Sequence, residues 1–373
     1  MKKQPSAVLT VLLFAAVLLL VPLGWLLLSQ KTFSDSERRY LAEFPSLARQ
    51  DLSDWTFDDA VETYLADHLP LRDTLVGINA YAVLLSGRQV SQPVWADMQG
   101  RLEEAPFAYD ENEFRKRLDR IETLQQAVQK PVFVLAVPSA GYVQKDSLPS
   151  GLGALYPDGE AFDLLENRSG FSVVPLRERF LQEQKAWYYR TDHHWTAKGV
   201  FAAYVAFMAA SGKEALSADR FYHHTADGYT GSTRSRSALW LTAPDTLQID
   251  EPIDTPVTVS FSDKEGSFDS LFFYEHLGSY DWYRLFLDGN HPVTVIENRS
   301  ADPSLSTLLM VKDSFGNTLA PLLVPSYRRI VLVDPRYART SVSKLCSRYE
   351  ADEILFCYSI ERLATDRNLL LLK

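Results

Sequence analysis

The last third of the chain leaves little freedom of architecture. STLLMV, SFGNTLAPLLV, YRRIVLVDPRY, SVSKLCSRY and EILFCYS follow one another at short spacing. The first, third and fifth are apolar runs of strand length, and the other two carry helical spacing. Strand, helix, strand, helix, strand with short connections demands right-handed crossovers and a parallel sheet flanked by helices. Strands covered on both faces read as continuous apolar runs, as these do. The same pattern begins near residue 110. NEFRKRLDRIETLQQAVQ puts Leu118, Ile121, Leu124 and Val128 on one helical face, and PVFVLAVPSA follows as a buried strand closed by Pro138. FSVVPLRERF gives a short strand and a helix start, and GVFAAYVAFMAA a further helix. TLQI, VTVSFS and VTVIE are strand-like pieces of a mixed region. The expected fold class is α/β. In such sheets ligands bind at the carboxyl ends of the strands. Those ends carry Ser139, Ser314, the run Asp334-Pro335-Arg336-Tyr337 and Tyr358.

The N-terminus obeys a different rule. From Ala7 to Leu28 there are 22 residues without a charge, enough to cross a hydrocarbon core of roughly 30 Å. Lys2 and Lys3 precede the run, which predicts a cytoplasmic Met1 and an external remainder. The run is longer than the apolar part of a signal peptide and lacks a clean small-x-small cleavage site, so an uncleaved anchor is expected. Residues 51–69 carry Phe57, Val61, Tyr64, Leu65 and Leu69 at helical spacing, and TLVGINAYAVLL gives a second helix after Pro70. The expected organisation is a cytoplasmic tail (1–6), an anchor (7–28), a juxtamembrane helical segment (29–95) and an α/β domain (96–373). Asp67, Arg72 and Asp73 read as docking residues of the N-terminal helices. A net charge of −10 argues against a nucleic-acid surface. Cys346 and Cys357 read either as a disulfide or as two buried thiols.

Two places can carry chemistry. Ser314 lies between an apolar strand and an apolar helix, where a serine oxygen stands at the strand end and helical N–H groups point at developing negative charge. A serine there also serves as a plain helix cap. The second place is YYRTDHHWTAKG, residues 188–199. A serine nucleophile needs a histidine base, and the base needs an acid. In an extended turn Asp192 and His194 point to one side, with His193 directed elsewhere. A metal reading would recruit Asp192 and the histidines, joined by His223 and His224, but no HExxH or CxxC spacing supports it. A third reading makes the motif a packed corner around Trp195. Smaller signals read as bland: His276 and His291 as surface or loop residues, Ser139 as a weaker version of Ser314.

YYRTDHHWTAKG resembles the signature of the DHHW protein family. VETYLADHLPLRD, VFVLAVPSAGYVQKDSLP, YRLFLDGNHPV, LLMVKDSFGNTLAPLL and IVLVDPRY resemble its other blocks in the same order, over roughly residues 33–373. That family is similar to the SGNH-like domains of alginate O-acetylation proteins. The resemblance implies a circularly permuted SGNH-hydrolase-like fold, with Asp192 and His194 as acid and base, Ser314 as nucleophile, and no metal or organic cofactor. It implies Arg336 and Tyr358 as substrate or oxyanion contacts, beside the Ser314 N–H. Asn317, Asn290 and His193 are further candidates. SGNH hydrolases usually carry glycine two residues before the serine, where this chain has Lys312, and space acid and base by three residues, where this chain has two. The implied function is acyl transfer, most simply acetyl, to or from a cell-surface polysaccharide, with a membrane-bound O-acyltransferase delivering the acyl group. The reading from another class is a non-catalytic scaffold or glycan-binding component of an envelope assembly.

Overall fold

Seven strands form the central sheet of the computed structural model, in the order Val257–Phe261, Val293–Asn298, Arg329–Val333, Thr307–Lys312, Glu353–Ser359, Val132–Val137 and Ser172–Val173. The last five run parallel. Val257–Phe261 and Val293–Asn298 join antiparallel at one edge, a departure from the all-parallel expectation. The cause is legible in VTVSF: Val257, Val259 and Phe261 are buried while Thr258 and Ser260 are half-buried. Such alternation suits an edge strand with one face partly open to water.

The described residues are 5–27, 31–46, 56–88, 90–91, 94–97, 99–183 and 186–371. They fall into two compact units: Met1–Gln92 with Ser235–Leu241, and Pro93–Arg234 with Thr242–Lys373.

In the second unit, strand parity sorts the core into two layers. Leu308, Met310, Leu332, Leu355, Cys357 and Leu135 pack with Val200, Tyr204 and Phe207 of the helix Ala197–Ala210 and Leu319 of the helix Gly316–Leu323. Their neighbours Leu309, Val311, Val331, Ile354, Phe356 and Val134 pack with Phe114, Leu118, Ile121 and Leu124 of the helix Glu111–Val128. That helix starts where the Asp110 side chain accepts the Glu113 N–H, a cap worth about 1 kcal/mol. Each fully buried Leu or Phe contributes about 1.5–3 kcal/mol, so this two-sided burial holds the sheet and its loops in place. The short strands Val94–Ala96 and Leu102–Glu104 and one long strand were not foreseen. Phe221–Tyr229 pairs antiparallel with Asp245–Pro252. Its sequence, FYHHTADGY, buries only its two ends and so lacks an apolar signal. Both cysteines are buried and free.

In the first unit, the helix Pro5–Leu27 carries an apolar span, Val8–Trp25, of mean hydropathy 2.6, long enough to cross a membrane. It is a candidate anchor. Residues 1–4 of the expected tail, Leu28 of the expected anchor and residues 51–55 of the expected helix lie outside the described residues. The helices Thr56–Asp67 and Arg72–Leu85 follow. Asp67 accepts from Arg39 and from the Ala42 N–H, each at 2.8 Å, and Arg72 pairs with Glu37 at 2.5 Å. The Asp73 carbonyl accepts the Trp240 indole N–H at 3.0 Å. Gly77 makes room for that ring, since a Cβ there would stand 2.6 Å from Trp240 Cδ1.

Candidate active site

The strand Thr307–Lys312 ends in Lys312-Asp313-Ser314, and the three side chains take three directions. Asp313 bends the chain. One of its oxygens accepts the Phe315 N–H at 2.9 Å, and the other accepts the Ser359 N–H at 2.9 Å. The turn is thereby tied to the end of the neighbouring strand. Ser314 sits at its tip, partly open to solvent, just before the helix Gly316–Leu323. Its N–H has no hydrogen-bond partner among the described residues.

The second half of the site is a tight hairpin. Tyr188 bridges Trp195, the Tyr189 N–H donates to the His194 carbonyl, and the Thr196 N–H donates to the Trp187 carbonyl. Asp192 lies at the bend, 1% exposed. Its Oδ1 accepts the His194 backbone N–H at 3.0 Å and ring Nδ1–H at 2.7 Å. One carboxylate oxygen thus folds the turn and orients the imidazole. With Nδ1 protonated toward the acid, Nε2 turns its lone pair to Ser314 Oγ at 2.8 Å. Asp192 Oδ2 accepts Tyr229 Oη–H at 2.5 Å and the Ser232 N–H at 2.9 Å. Burial alone would raise the Asp192 carboxyl, but His194 and His193 outweigh it and hold it well below the usual carboxylate range. Gly231 is required here, because a Cβ would lie 2.2 Å from Asp192 Cβ.

Aromatic residues complete the seat. Tyr283 stacks on His194 at 3.8 Å between ring centres, and Phe315 tilts against it at 5.0 Å. Trp195 donates its indole N–H to Thr318 Oγ1 at 2.7 Å, so it clamps the histidine hairpin to the helix after the serine. Asp245 holds the hairpin from outside, accepting the Arg190 and Thr191 N–H groups at 2.9 and 2.8 Å. Asp313, Tyr229, Asp245, Tyr283 and Thr318 escaped sequence reading. Each acts through a contact distant along the chain, although the Asp-Ser pair at a strand end carries a turn signal for Asp313.

The remaining candidates distribute unevenly. His193 does not turn away from Asp192 as an extended turn would require. The bend puts both imidazoles on one side, 3.9 Å apart, and His193 Nδ1 lies 3.0 Å from Ser232 Oγ, 3.2 Å from Asp192 and 3.3 Å from Glu104. Asn290 is exposed, and its Oδ1 accepts from Lys312 Nζ at 3.0 Å and from Asn317 Nδ2 at 3.1 Å. Asn317 itself is buried and is a holder of Asn290. Arg336 forms a two-pronged pair with Asp334 at 2.8 and 2.6 Å and lines a groove with Tyr337 and Arg339. Tyr358 stays out of reach of a ligand: strand parity turns it into the other core layer, 1% exposed. His223 and His224 lie on the hairpin strand, facing Asp250 and Glu251. His276 and His291 are not loose loop residues. His276 Nε2 lies 2.6 Å from Asp288, and the buried His291 lies 2.8 Å from Asp263. Ser139 donates its N–H to Asp158.

Ligand atoms of Asp192, His193 and His194 lie within 4.8 Å of one another, close enough to consider a metal. Both Asp192 oxygens, however, already accept hydrogen bonds from N–H or O–H donors. A cation would have to displace them, whereas a proton relay uses them as they stand.

The DHHW protein family model matches residues 177–333. No curated protein matches the sequence. A DHHW family protein from Eubacterium siraeum is 20% identical, with 75% of this chain and 94% of that chain covered and a TM-score of 0.64. Bacillus cereus PatB1 is 21% identical, with 76% and 100% covered and a TM-score of 0.63, and it has also been solved with a sulfonyl adduct. The O-acetyltransferase domain of Pseudomonas putida AlgJ is more distant, at 15% identity, 76% and 96% coverage and a TM-score of 0.46. The first two share the SGNH-like α/β fold of this chain. The segment that matches the DHHW protein family model holds both the Asp-His-His-Trp hairpin and the serine turn.

Proposed function

We propose that this chain is a serine O-acyltransferase or esterase that moves an acetyl group to or from a cell-surface polysaccharide. The observation that carries the reading is the unbroken line from Asp192 through His194 to Ser314, with hydrogen bonds of 2.7 and 2.8 Å. His194 Nε2 takes the proton of Ser314 Oγ as the oxygen attacks the acyl carbonyl. Asp192, ionised because of its neighbours, stabilises the imidazolium. The Ser314 N–H and the Asn290 amide are the donors for the oxyanion. Collapse expels the leaving group, which takes the proton from His194. A sugar hydroxyl or water then repeats the sequence on the acyl-serine. No step calls for a metal or an organic cofactor. The sulfonyl adduct of PatB1 supports the reading by analogy, since a sulfonyl group is a tetrahedral electrophile that captures activated nucleophiles. The groove beside Arg336, Tyr337 and Arg339, about 770 Å³, offers room for a saccharide. Pro5–Leu27 would anchor the chain with Met1 in the cytoplasm and the catalytic unit outside, where a membrane-bound O-acyltransferase can supply acyl groups.

The test is intact mass of the full chain in detergent after exposure to p-nitrophenyl acetate, beside Ser314→Ala. One acetyl adduct, mapped to Ser314 and absent from the variant, is expected. A folded wild type that gains no adduct and turns over no ester would sink the proposal.

A further inference from the structure

We infer that Lys312 is a positioning residue for the oxyanion site: with Asn317 it captures the carbonyl of the Asn290 amide, so that the NH2 end is the one left for the reacting acyl group. The inference rests on the acyl-transfer reading of Ser314.

Lys312 is 1% exposed at the end of a sheet strand, a costly place for an amine. Neutralising Asp334 does not explain it, because Arg336 already pairs with both oxygens of that carboxylate. The closest partner of Lys312 Nζ is Asn290 Oδ1 at 3.0 Å, whereas Asp334 stands at 3.7 Å. Asn317 Nδ2 reaches the same oxygen at 3.1 Å. Flipping the Asn290 amide would bring its NH2 against two donors, so the network permits one orientation. The two holders bracket Ser314 in the chain, two residues before it and three after, which couples the Asn290 amide to the serine turn. Gly316 belongs to this device. A Cβ there would fall 2.6 Å from Lys312 Cβ and 3.0 Å from Cγ, so the helix must start without a side chain for the lysine stem to pass.

The loop that brings Asn290 is equally constrained. Leu287, Asp288 and Gly289 have φ of 55°, 55° and 92°. A left-handed backbone is unfavourable for leucine and, to a lesser degree, for aspartate. Asp288 is buried among Lys264, His276 and Arg284, which hold the loop in that form. Strain of this kind persists where a group must stand in one place.

The test is single-turnover acylation of the full chain by p-nitrophenyl acetate in a cycle of Lys312→Met, Asn290→Ala and the double variant. Loss of one oxyanion donor costs about 10²–10³ in rate, and Asn290→Ala is expected there. Lys312→Met, acting through it, should lose roughly tenfold to a hundredfold at saturating ester, with little change in the ester concentration for half-maximal rate. The double variant should match Asn290→Ala. Acylation of Lys312→Met at the wild-type rate, or a double variant slowed by the product of both factors, would overturn the inference. Should Lys312→Met not fold, Lys312→Leu, which likewise carries no donor, runs the same cycle. A wild type that never acylates removes the Ser314 reading and this inference together. A reactive wild type with an indifferent Lys312 variant removes this inference alone.

Discussion

Asp192→Asn is the sharpest perturbation of the site, because the carboxylate spends all its capacity as an acceptor. Oδ1 receives two N–H groups of His194, and Oδ2 receives Tyr229 Oη–H and the Ser232 N–H. An asparagine must turn its NH2 toward one pair or the other. Facing His194, it meets two N–H groups and drives the ring to the tautomer whose Nε2 is protonated, which cannot accept from Ser314. Facing Tyr229 and Ser232, it leaves the Ser232 N–H unpaired, because only the tyrosine hydroxyl can rotate to accept. The second choice costs one buried donor, about 1–3 kcal/mol of stability, and still removes the charge that balances the imidazolium. Loss of that charge in a serine triad lowers the rate about 10⁴-fold. We therefore expect acylation of Asp192→Asn to fall roughly 10³–10⁴-fold while the fold persists. The stability deficit has a pH signature. The native carboxyl lies well below its unfolded value of about 3.9. The unfolded chain binds the proton first as pH falls, so wild-type stability is present above that value and is lost below it. The gap between wild type and variant, read from urea unfolding at several pH values, should be constant above about pH 5 and narrow below about pH 4. A variant that acylates within tenfold of wild type, or a gap that widens in acid, would refute the reasoning.

Two further outcomes follow from the same contacts. Gly231→Ala places a methyl 2.2 Å from Asp192 Cβ. It should displace the carboxylate and cut ester turnover at least tenfold, a loss typical of small misplacements of catalytic groups; unchanged turnover would remove Gly231 from the account. Burial pushes the Lys312 ammonium down to about 8. Between that value and its unfolded value near 10.4 the unfolded chain binds more protons, so stability should rise with pH across this window, by up to about 3 kcal/mol. The rise should vanish in Lys312→Met, and denaturant melts from pH 7 to 10.5 give the answer directly.

Much of the fold is legible because buried parallel strands are local signals. LLMV, IVLV and ILFCY are apolar at every position, and both faces of each are covered. The hairpin strand Phe221–Tyr229 was silent because its middle is exposed. Of the candidate site, Ser314 and Asp192–His194 stand out by residue type and spacing. Tyr229 and Tyr283 look like any core aromatic. Their roles arise only when the fold brings them to Asp192 and His194, separated from them along the chain by an unassigned region. His193 is instructive in another way. Its direction was argued from an extended backbone, but the Asp192 side chain bends that backbone by accepting the His194 N–H.

Lys312 stands where SGNH hydrolases usually carry glycine. The structure turns the difference into a division of labour. Consecutive side chains leave a strand on opposite faces, so Lys312 and Asp313 diverge, and Ser314 lies past the strand end. Lys312 goes to Asn290, Asp313 to the neighbouring strand end at Ser359, and Ser314, already in the turn, to His194. A glycine at 312 would leave Asn290 Oδ1 with Asn317 as its one donor in this network. Gly316, four residues on, clears the path of the lysine stem. Reversing the two, Lys312→Gly with Gly316→Ala, should therefore be tolerated by the backbone far better than Gly316→Ala alone, whose methyl meets the lysine. Thermal melts of the three proteins decide it. A double variant no more stable than Gly316→Ala would mean that the glycine serves the helix start itself and not the lysine.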